Sequence, residues 1–505
     1  MWTINEALES VAQQRQGQVA VIDGAVRMSY GELGRNVRNT AGWLQAQGVV
    51  KGDKVALHGR NSVQWVVAYY AILAAGAVAV PVNHKLAAPE IAYILEHSES
   101  RMWLVDPDLH QVIGNAPPTF ALSQPTGASS LPLMAPDGAN CAYYRVDVAA
   151  DDLAELLYTS GTTGRPKGCM HSHANVILAG IGSSMAYGLG PADRVLVAMP
   201  IWHSFPLNNL LVGSLYVAAS VVLLPEYHPL RFLETVQQEK CTLFFGAPIA
   251  YLMPLKMVPD FGRYDLSSVR VWLYGGGPID AGNARLLAER YRSDRFYQVF
   301  GMTETGPTGT ALLPDEQVAK AGSIGRHAVS GCTVKVMIDE QRQARPGDVG
   351  EVWMRCQSMM QGYYRDPEAT AAAFHDGWYR SGDLARMDED GYLFIVDRVK
   401  DMIITGGENV YSKEVEDVLA SHPGVAEAAV IGIPHPEWGE SVTAIIVPKA
   451  GGAVLAEDVQ AYCAGMLAKY KVPRHIRIVD AVPRTPTGKV MKYRLRQQFS
   501  SSGGE

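Results

Sequence analysis

Between residue 1 and about residue 330, apolar runs of strand length alternate with stretches in which apolar positions recur every three or four residues. "DKVALHG" (53–59), "GAVAVPVN" (76–83), "SVVLLP" (220–225) and "VRVWLYGGGP" (269–278) read as buried strands, and 228–240 and 280–293 as helices. Continuous apolar strands separated by helices predict an α/β fold whose sheets are mainly parallel and covered by helices. The pattern changes between about 331 and 397. There "CTVKVMI", "GEVWMRC" and "GYLFIV" are short alternating strands between Pro, Gly and Asp turns, which predicts a small β-barrel or antiparallel sheet. After "DRVKD" (397–401) a compact α+β unit begins. Ser412 is placed to cap a helix with Val415, Val418 and Leu419 on one face; the strands "VAEAAVIGI" and "VTAIIVP" and a helix near 456–469 follow. The expected division is a large N-terminal domain, 1–399, of helix-covered mixed sheets with a barrel-like part at 331–397, and a small α+β C-terminal domain, 400–505.

Composition narrows the class. At 505 residues the chain exceeds what one hydrophobic core supports, and 48% hydrophobic against 19% charged residues is a globular balance. A net charge of −7 with no basic run gives no reason to expect nucleic acid or an anionic membrane surface. The longest apolar stretch, "WVVAYYAILAAGAVAVPV" (65–82), holds Gly76 and Pro81; it reads as a buried helix running into a strand, not as a membrane span. Cys141, Cys169, Cys241, Cys332, Cys356 and Cys463 form no C-x-x-C pair, which argues against a zinc site or a disulfide framework. The N-terminus lacks the pattern of a signal peptide. The expectation is a soluble, cytoplasmic protein.

One loop carries the first chemistry. "YTSGTTGRPKG" (158–168) gathers glycines, hydroxyls and a lysine, as a phosphate-binding loop would. It is not a Walker A loop, because Lys167 follows Arg165-Pro166 and precedes Gly168 instead of a hydroxyl. Thr159, Ser160, Thr162 and Thr163 offer hydroxyl donors, Gly161 and Gly164 allow close backbone approach, and Lys167 supplies charge.

Six further motifs follow in order: "PIWHSFP" (200–206), "YGGGP" (274–278), "FGMTETG" (300–306), "WYRSGDL" (378–384), "DRVKDMIITGGENVY" (397–411) and "PRTPTGKVMK" (483–492). Together with the loop they resemble the adenylate-forming superfamily: acyl- and aryl-CoA ligases, amino-acid adenylation domains and firefly-type luciferases. The resemblance implies two steps. A carboxylate attacks the α-phosphorus of ATP, releasing pyrophosphate, and a thiol then displaces AMP from the acyl-adenylate. It implies that the 159–167 loop grips the β- and γ-phosphates, that Thr303 bonds the α-phosphate and that Glu304 holds Mg²⁺. Gly275, Gly276, Gly277 and Pro278 would lie against adenine, with Phe300 and Gly301 nearby. Asp383 and Arg398 would take the ribose hydroxyls. Lys489 would bridge the substrate carboxylate and the α-phosphate. The mobile C-terminal domain would pivot at Lys400 between the steps, bringing Gly406 and Gly407 to the pantetheine arm of coenzyme A. Phe300 stands where a tyrosine is usual, and "YSKE" lacks the usual proline after Tyr411.

By the same resemblance His203 sits at a gate to the acyl pocket, with Trp202, Phe205, Asn208, Tyr274, Val299 and Met302 expected to shape it. None carries the aspartate that would hold an α-ammonium or the arginine that would hold a second carboxylate. An apolar monocarboxylic acid is therefore expected. The small bulk of Gly306 and Pro307 inclines the reading to a fatty acyl chain over an aryl acid. A carrier-protein thiol is the alternative acceptor to coenzyme A, and a homodimer stays open.

Overall fold

The computed structural model describes residues 1–123, 141–159, 166–405, 408–449, 454–484 and 490–500. Contacts divide these into two units: 1–159, 166–334 and 354–379 in the first, and 335–353 and 380–500 in the second.

The first unit holds two large sheets. In one of nine strands, Phe296–Gly301, Val271–Gly275, Leu243–Gly246, Arg194–Val197, Ser220–Leu223 and Val19–Asp23 run parallel in that spatial order. Antiparallel strands Gly309–Leu312 and Val26–Ser29 flank them. In the seven-stranded sheet, Thr119–Ala121, Ser100–Val105, Lys54–His58, Val78–Val82 and Leu153–Thr159 are parallel. Lys167–Ser172 and Gly362–Tyr363 complete it in antiparallel pairs. The expected strands and helices are present, with helices at Pro229–Glu239 and Ala281–Tyr291.

The apolar stretch at 65–82 is a helix, Val63–Ala74, followed by Val78–Val82. Every residue from Trp65 to Ala74 is buried, because the helix packs on the Tyr30–Ala46 helix and on strands of both sheets. A helix covered on all sides needs no polar face, which is why its sequence looks like a membrane span. Among the described residues no helix is long and apolar enough to cross a membrane.

One buried polar cluster interrupts this core. Glu155, wholly buried on Leu153–Thr159, accepts from the Asn208 amide at 2.7 Å and the Tyr69 hydroxyl at 3.1 Å. Cysteines depart from expectation at one place. Cys332 and Cys356, both in the first unit, are joined as a disulfide, so the absence of a C-x-x-C pair did not exclude a bridge. The partners lie 24 residues apart and meet only because their strands are neighbours.

In the second unit the strands Val425–His435 and Gly439–Pro448 are buried on both faces. Val430, Val442, Ala444 and Ile446 meet Val415 and Leu419 of helix Ser412–Ser421 and Val459 of Ala456–Met466; Ala429, Ile431, Ile433 and Ile445 meet Leu495 of Lys492–Ser500. Each such large side chain contributes about 1.5–3 kcal/mol by leaving water. The capping expectation fails in detail. Tyr411 occupies the cap position with no side-chain bond, and the Ser412 hydroxyl donates to Asp397 Oδ1 at 3.0 Å. Asp397 also accepts the Ser412 amide, so a carboxylate from the earlier strand Leu393–Arg398 does the capping.

Burial pushes the Glu155 carboxyl up from 4.5 to about 7. The folded chain then holds a proton between these values that the unfolded chain releases, so stability falls as pH rises through this window and is level above it. Glu155→Gln removes that loss. Its stability relative to wild type should rise between pH 5 and pH 8, by up to about 3 kcal/mol at 1.36 kcal/mol per pH unit. Urea unfolding at both pH values measures it, and an equal difference at each would show that Glu155 does not titrate with folding.

Candidate active site

The motifs of the first unit converge at the carboxyl ends of parallel strands, where open α/β sheets place ligands. Leu153–Thr159 and Lys167–Ser172 form a hairpin in which Thr159 lies directly opposite Lys167. The two ends of the phosphate loop are thus side by side; Ser160, Gly161, Thr162, Thr163 and Gly164 lie outside the described residues. The Lys167 ammonium stands 4.9 Å over the ring of Tyr363. The Tyr363 hydroxyl donates to Glu304 Oε1 at 3.1 Å. Burial, with the Glu304 charge second, holds the Tyr363 hydroxyl far above its ordinary range, so it stays protonated and donates. Burial, with the Glu304 charge second, likewise raises the Tyr379 hydroxyl well above its ordinary range. One lysine and one carboxylate from distant motifs are therefore joined through a tyrosine that sequence reasoning missed, although "QGYY" marks it beside a glycine.

Thr303 and Glu304 occupy a single helical turn, Thr303–Thr305, after the strand Phe296–Gly301. That turn is clamped. Thr305 and Thr308 exchange side-chain to carbonyl bonds at 2.6 and 2.9 Å, and Ser358 Oγ lies 2.7 Å from both the Thr305 carbonyl and Thr308 Oγ1. The Met360 amide donates to the Glu304 carbonyl at 2.9 Å. Gly306 closes the turn at φ +72°, and a Cβ there would stand 2.1 Å from the Ser358 carbonyl. Gly306 is glycine because backbone packs on it, so it does not report on pocket size as the sequence reading assumed.

On the other side, Ser204 Oγ lies 3.0 Å from Thr303 Oγ1. This contact joins "IWHSFP" to "TETG" and sets the acyl-gate motif beside the residue assigned to the α-phosphate. Trp202 and His203 stack with ring centroids 4.1 Å apart, and Phe205 packs on Phe245 at 4.4 Å. From Phe205 to Val212 the chain winds as a π-helix, a form that gathers at functional sites. Two expected pocket residues are committed elsewhere. Asn208 is wholly buried and donates to Glu155; Tyr274 is 2% exposed, sits in the core and donates to Gln317. Val299 and Met302 are half-buried, flanking Phe300 and Gly301. Val271–Gly275 ends in Gly275, whose Cβ would stand 2.9 Å from the Val299 carbonyl. Gly276 follows at φ +79° with open space around it, then Gly277 and Pro278, so bare peptide is presented where a flat ring could lie.

In the second unit Asp383 and Arg398 are direct partners in an antiparallel pair, with Arg398 Nε 3.0 Å from Asp383 Oδ1. Lys400 follows at once; burial lowers its pKa, with Arg398 and Arg496 opposing its charge and Asp401 and Asp383 favouring it. Gly406, Gly407 and Lys489 lie outside the described residues. Among the described residues no three His, Cys, Asp or Glu side chains gather as a metal cage. Glu304 as one carboxylate fits a hard cation that takes its remaining ligands from phosphate oxygens and water.

This fold and these convergent motifs define an enzyme that handles an adenylate. The AMP-binding enzyme family matches residues 8–364 and its C-terminal domain residues 414–489. The chain belongs to this family and is an AMP-forming acid–CoA ligase of the adenylate-forming superfamily. It is 37% identical over 483 residues to a feruloyl-CoA synthase of an Amycolatopsis species, covering 95% of this chain and 96% of the relative. It is 35% identical to the long-chain-fatty-acid–CoA ligase FadD13 of Mycobacterium tuberculosis, covering 94% of each. Among solved structures, o-succinylbenzoate CoA synthetase (MenE) from Bacillus subtilis, in complex with its acyl-adenylate intermediate, matches with a TM-score of 0.85. That match has 30% identity over 97% of each chain.

Gly306→Ala should drive the turn off Ser358 and move Thr303 and Glu304. Acid-dependent pyrophosphate exchange is expected to fall about 100-fold, the cost of misplacing reacting groups by about an ångström. Exchange at the wild-type rate would show that the turn does not set the site.

Proposed function

We propose that the acid is an apolar monocarboxylate, converted through its adenylate to the coenzyme A thioester. The observation that carries this reading is the contact between Ser204 and Thr303, because the side chains flanking Ser204 are aromatic and include no carboxylate, guanidinium or ammonium group. An acid held there would lie on Trp202, His203 and Phe205 with its carboxylate toward Thr303. A fatty acyl chain is one such acid. An aryl acid is the second reading, and the stacked Trp202–His203 pair and the tilted Phe205–Phe245 pair favour it, since they offer aromatic faces to a planar ring.

Thr303 would donate to the α-phosphate, Lys167 and the hydroxyl-rich loop would hold the terminal phosphates, and Glu304 would hold Mg²⁺, which neutralises phosphate charge. Asp383 and Arg398 would take the ribose, with adenine against Gly275–Gly277. Lys489 would steady the charge that builds between the carboxylate and the α-phosphate. A turn of the C-terminal domain at Lys400 would then exchange Lys489 for Gly406 and Gly407 as the thiol arrives. ATP and coenzyme A as substrates suit a cytoplasmic setting.

AMP release from ATP across fatty, aryl and amino acids, with and without coenzyme A, names the substrate class. Release confined to apolar monocarboxylates and stimulated by coenzyme A is expected; preference for an amino acid or a dicarboxylate would overturn the reading. The two half-reactions test the roles of the lysines. Lys489→Ala should slow adenylation by about 100- to 1,000-fold and spare thioester formation from supplied acyl-adenylate. Lys400→Pro should do the reverse, and equal loss of both steps in either variant would sink its assignment.

A further inference from the structure

His84 follows the strand Val78–Val82 and belongs to none of the seven motifs, yet it reaches the gate. Its Nδ1 accepts a hydrogen bond from the Trp202 indole Nε1 at 3.1 Å, and the rings meet edge to face. Its side chain is only 4% exposed, while Trp202 is half-buried. Because Nδ1 accepts, the neutral ring carries its proton on Nε2, which faces Glu226 Oε1 at 3.7 Å. Glu226 is in turn held by Arg60 Nε at 3.1 Å, and Arg60 is anchored to Asp108 at 2.6 Å. The backbone beneath the gate is fixed independently: Asn61 Oδ1 accepts the Ile201 amide at 2.9 Å, and its amide donates to the carbonyls of Met199 and Leu224.

We propose that His84 is a positioning residue for acid recognition: it fixes the Trp202 indole, and through the stacked rings His203, and so sets which acids the pocket accepts. The proposal rests on the placement of Trp202 and His203 at the acyl pocket. The reasons are steric and chemical. Trp202 offers one polar atom, the indole N–H, and in this half-buried side chain it is spent on His84. Because the His84 ring is itself buried, the indole cannot rotate without separating its N–H from this acceptor. His203, stacked 4.1 Å away, inherits that orientation. Ser204, next in the chain, touches Thr303, so the stack stands at a set distance from the reacting carboxylate.

The test is steady-state AMP release with ATP and coenzyme A, using cinnamate and decanoate as probe acids, for wild type, His84→Leu, His84→Gln, Trp202→Phe and the His84→Leu/Trp202→Phe pair. His84→Leu should raise the KM of the better acid by about tenfold, the equivalent of one buried hydrogen bond. It should also change the ratio of kcat/KM between the two acids, while the KM for ATP moves by less than about twofold, within what loss of uniform acid binding allows. His84→Gln, whose amide oxygen can accept from the indole, should restore both quantities. The pair should be no worse than its more damaging single variant, because each breaks the same bond. If His84→Leu does not fold, His84→Phe fills the space without an acceptor and serves the same comparison. An unchanged acid KM and selectivity in His84→Leu, or an equal rise in KM for acid and ATP, overturns the proposal while a Trp202→Phe effect keeps the pocket assignment. Trp202→Phe without effect on either acid overturns the pocket assignment and the proposal with it.

Discussion

The chemistry proposed for the first unit depends on a short turn that backbone packing holds in place. Thr303 and Glu304 lie where strand Phe296–Gly301 gives way to one helical turn, and Gly306 closes that turn with its backbone against Ser358. No side chain fits at 306, so the approach is a steric constraint and not a weak preference. Thr305, Thr308, Ser358 and Met360 satisfy every polar contact that the clamp uses, and Ser204 meets Thr303 from the opposite side. Joining a carboxylate to a triphosphate brings like charges together. The protein's own donors are best set before the substrates arrive, because reorganising them during reaction would cost much of the rate.

The wall beside that turn is irregular by design of its hydrogen bonds. The π-helical stretch Phe205–Val212 is held by Asn208 to Glu155 and by Asn209 to Ser183 at 2.7 Å each. A π-helix widens the turn and packs less regularly than an α-helix, so buried polar ties compensate for what local backbone bonding loses. Glu155 accepts this task at the expense of an unfavourable charge, which its raised pKa reports. A residue useful for holding a wall thus becomes a liability to stability at high pH.

The second unit solves a different problem. Its central strands are buried on both faces, so they can be short of polar residues and still be stable when helices cover each side. Asp397 ties the end of one strand to the first turn of helix Ser412–Ser421, and Arg496 pairs with Asp401 at 2.9 Å. The Arg496–Asp401 pair holds the residue just after Lys400, whereas the Asp397–Ser412 bonds span Lys400 and tie the chain before it to the helix after it.

Sequence alone determined the α/β class, the strands and helices of the first 330 residues, the seven motifs and the family, because periodicity and glycine-hydroxyl-lysine spacing are local properties. It read the buried helix Val63–Ala74 correctly because Gly76 ends it and Pro81 stands in the strand that follows. Tertiary structure decided the rest. It showed that Gly306 answers to Ser358 and not to a substrate, since the two lie 52 residues apart and meet only in the folded chain. It turned Asn208 and Tyr274 into the core, gave Glu304 its partner Tyr363, moved the capping role from Ser412 to Asp397 and brought His84 to Trp202. Each of those contacts is long-range, and no local pattern of residues encodes which side chain will arrive from another strand.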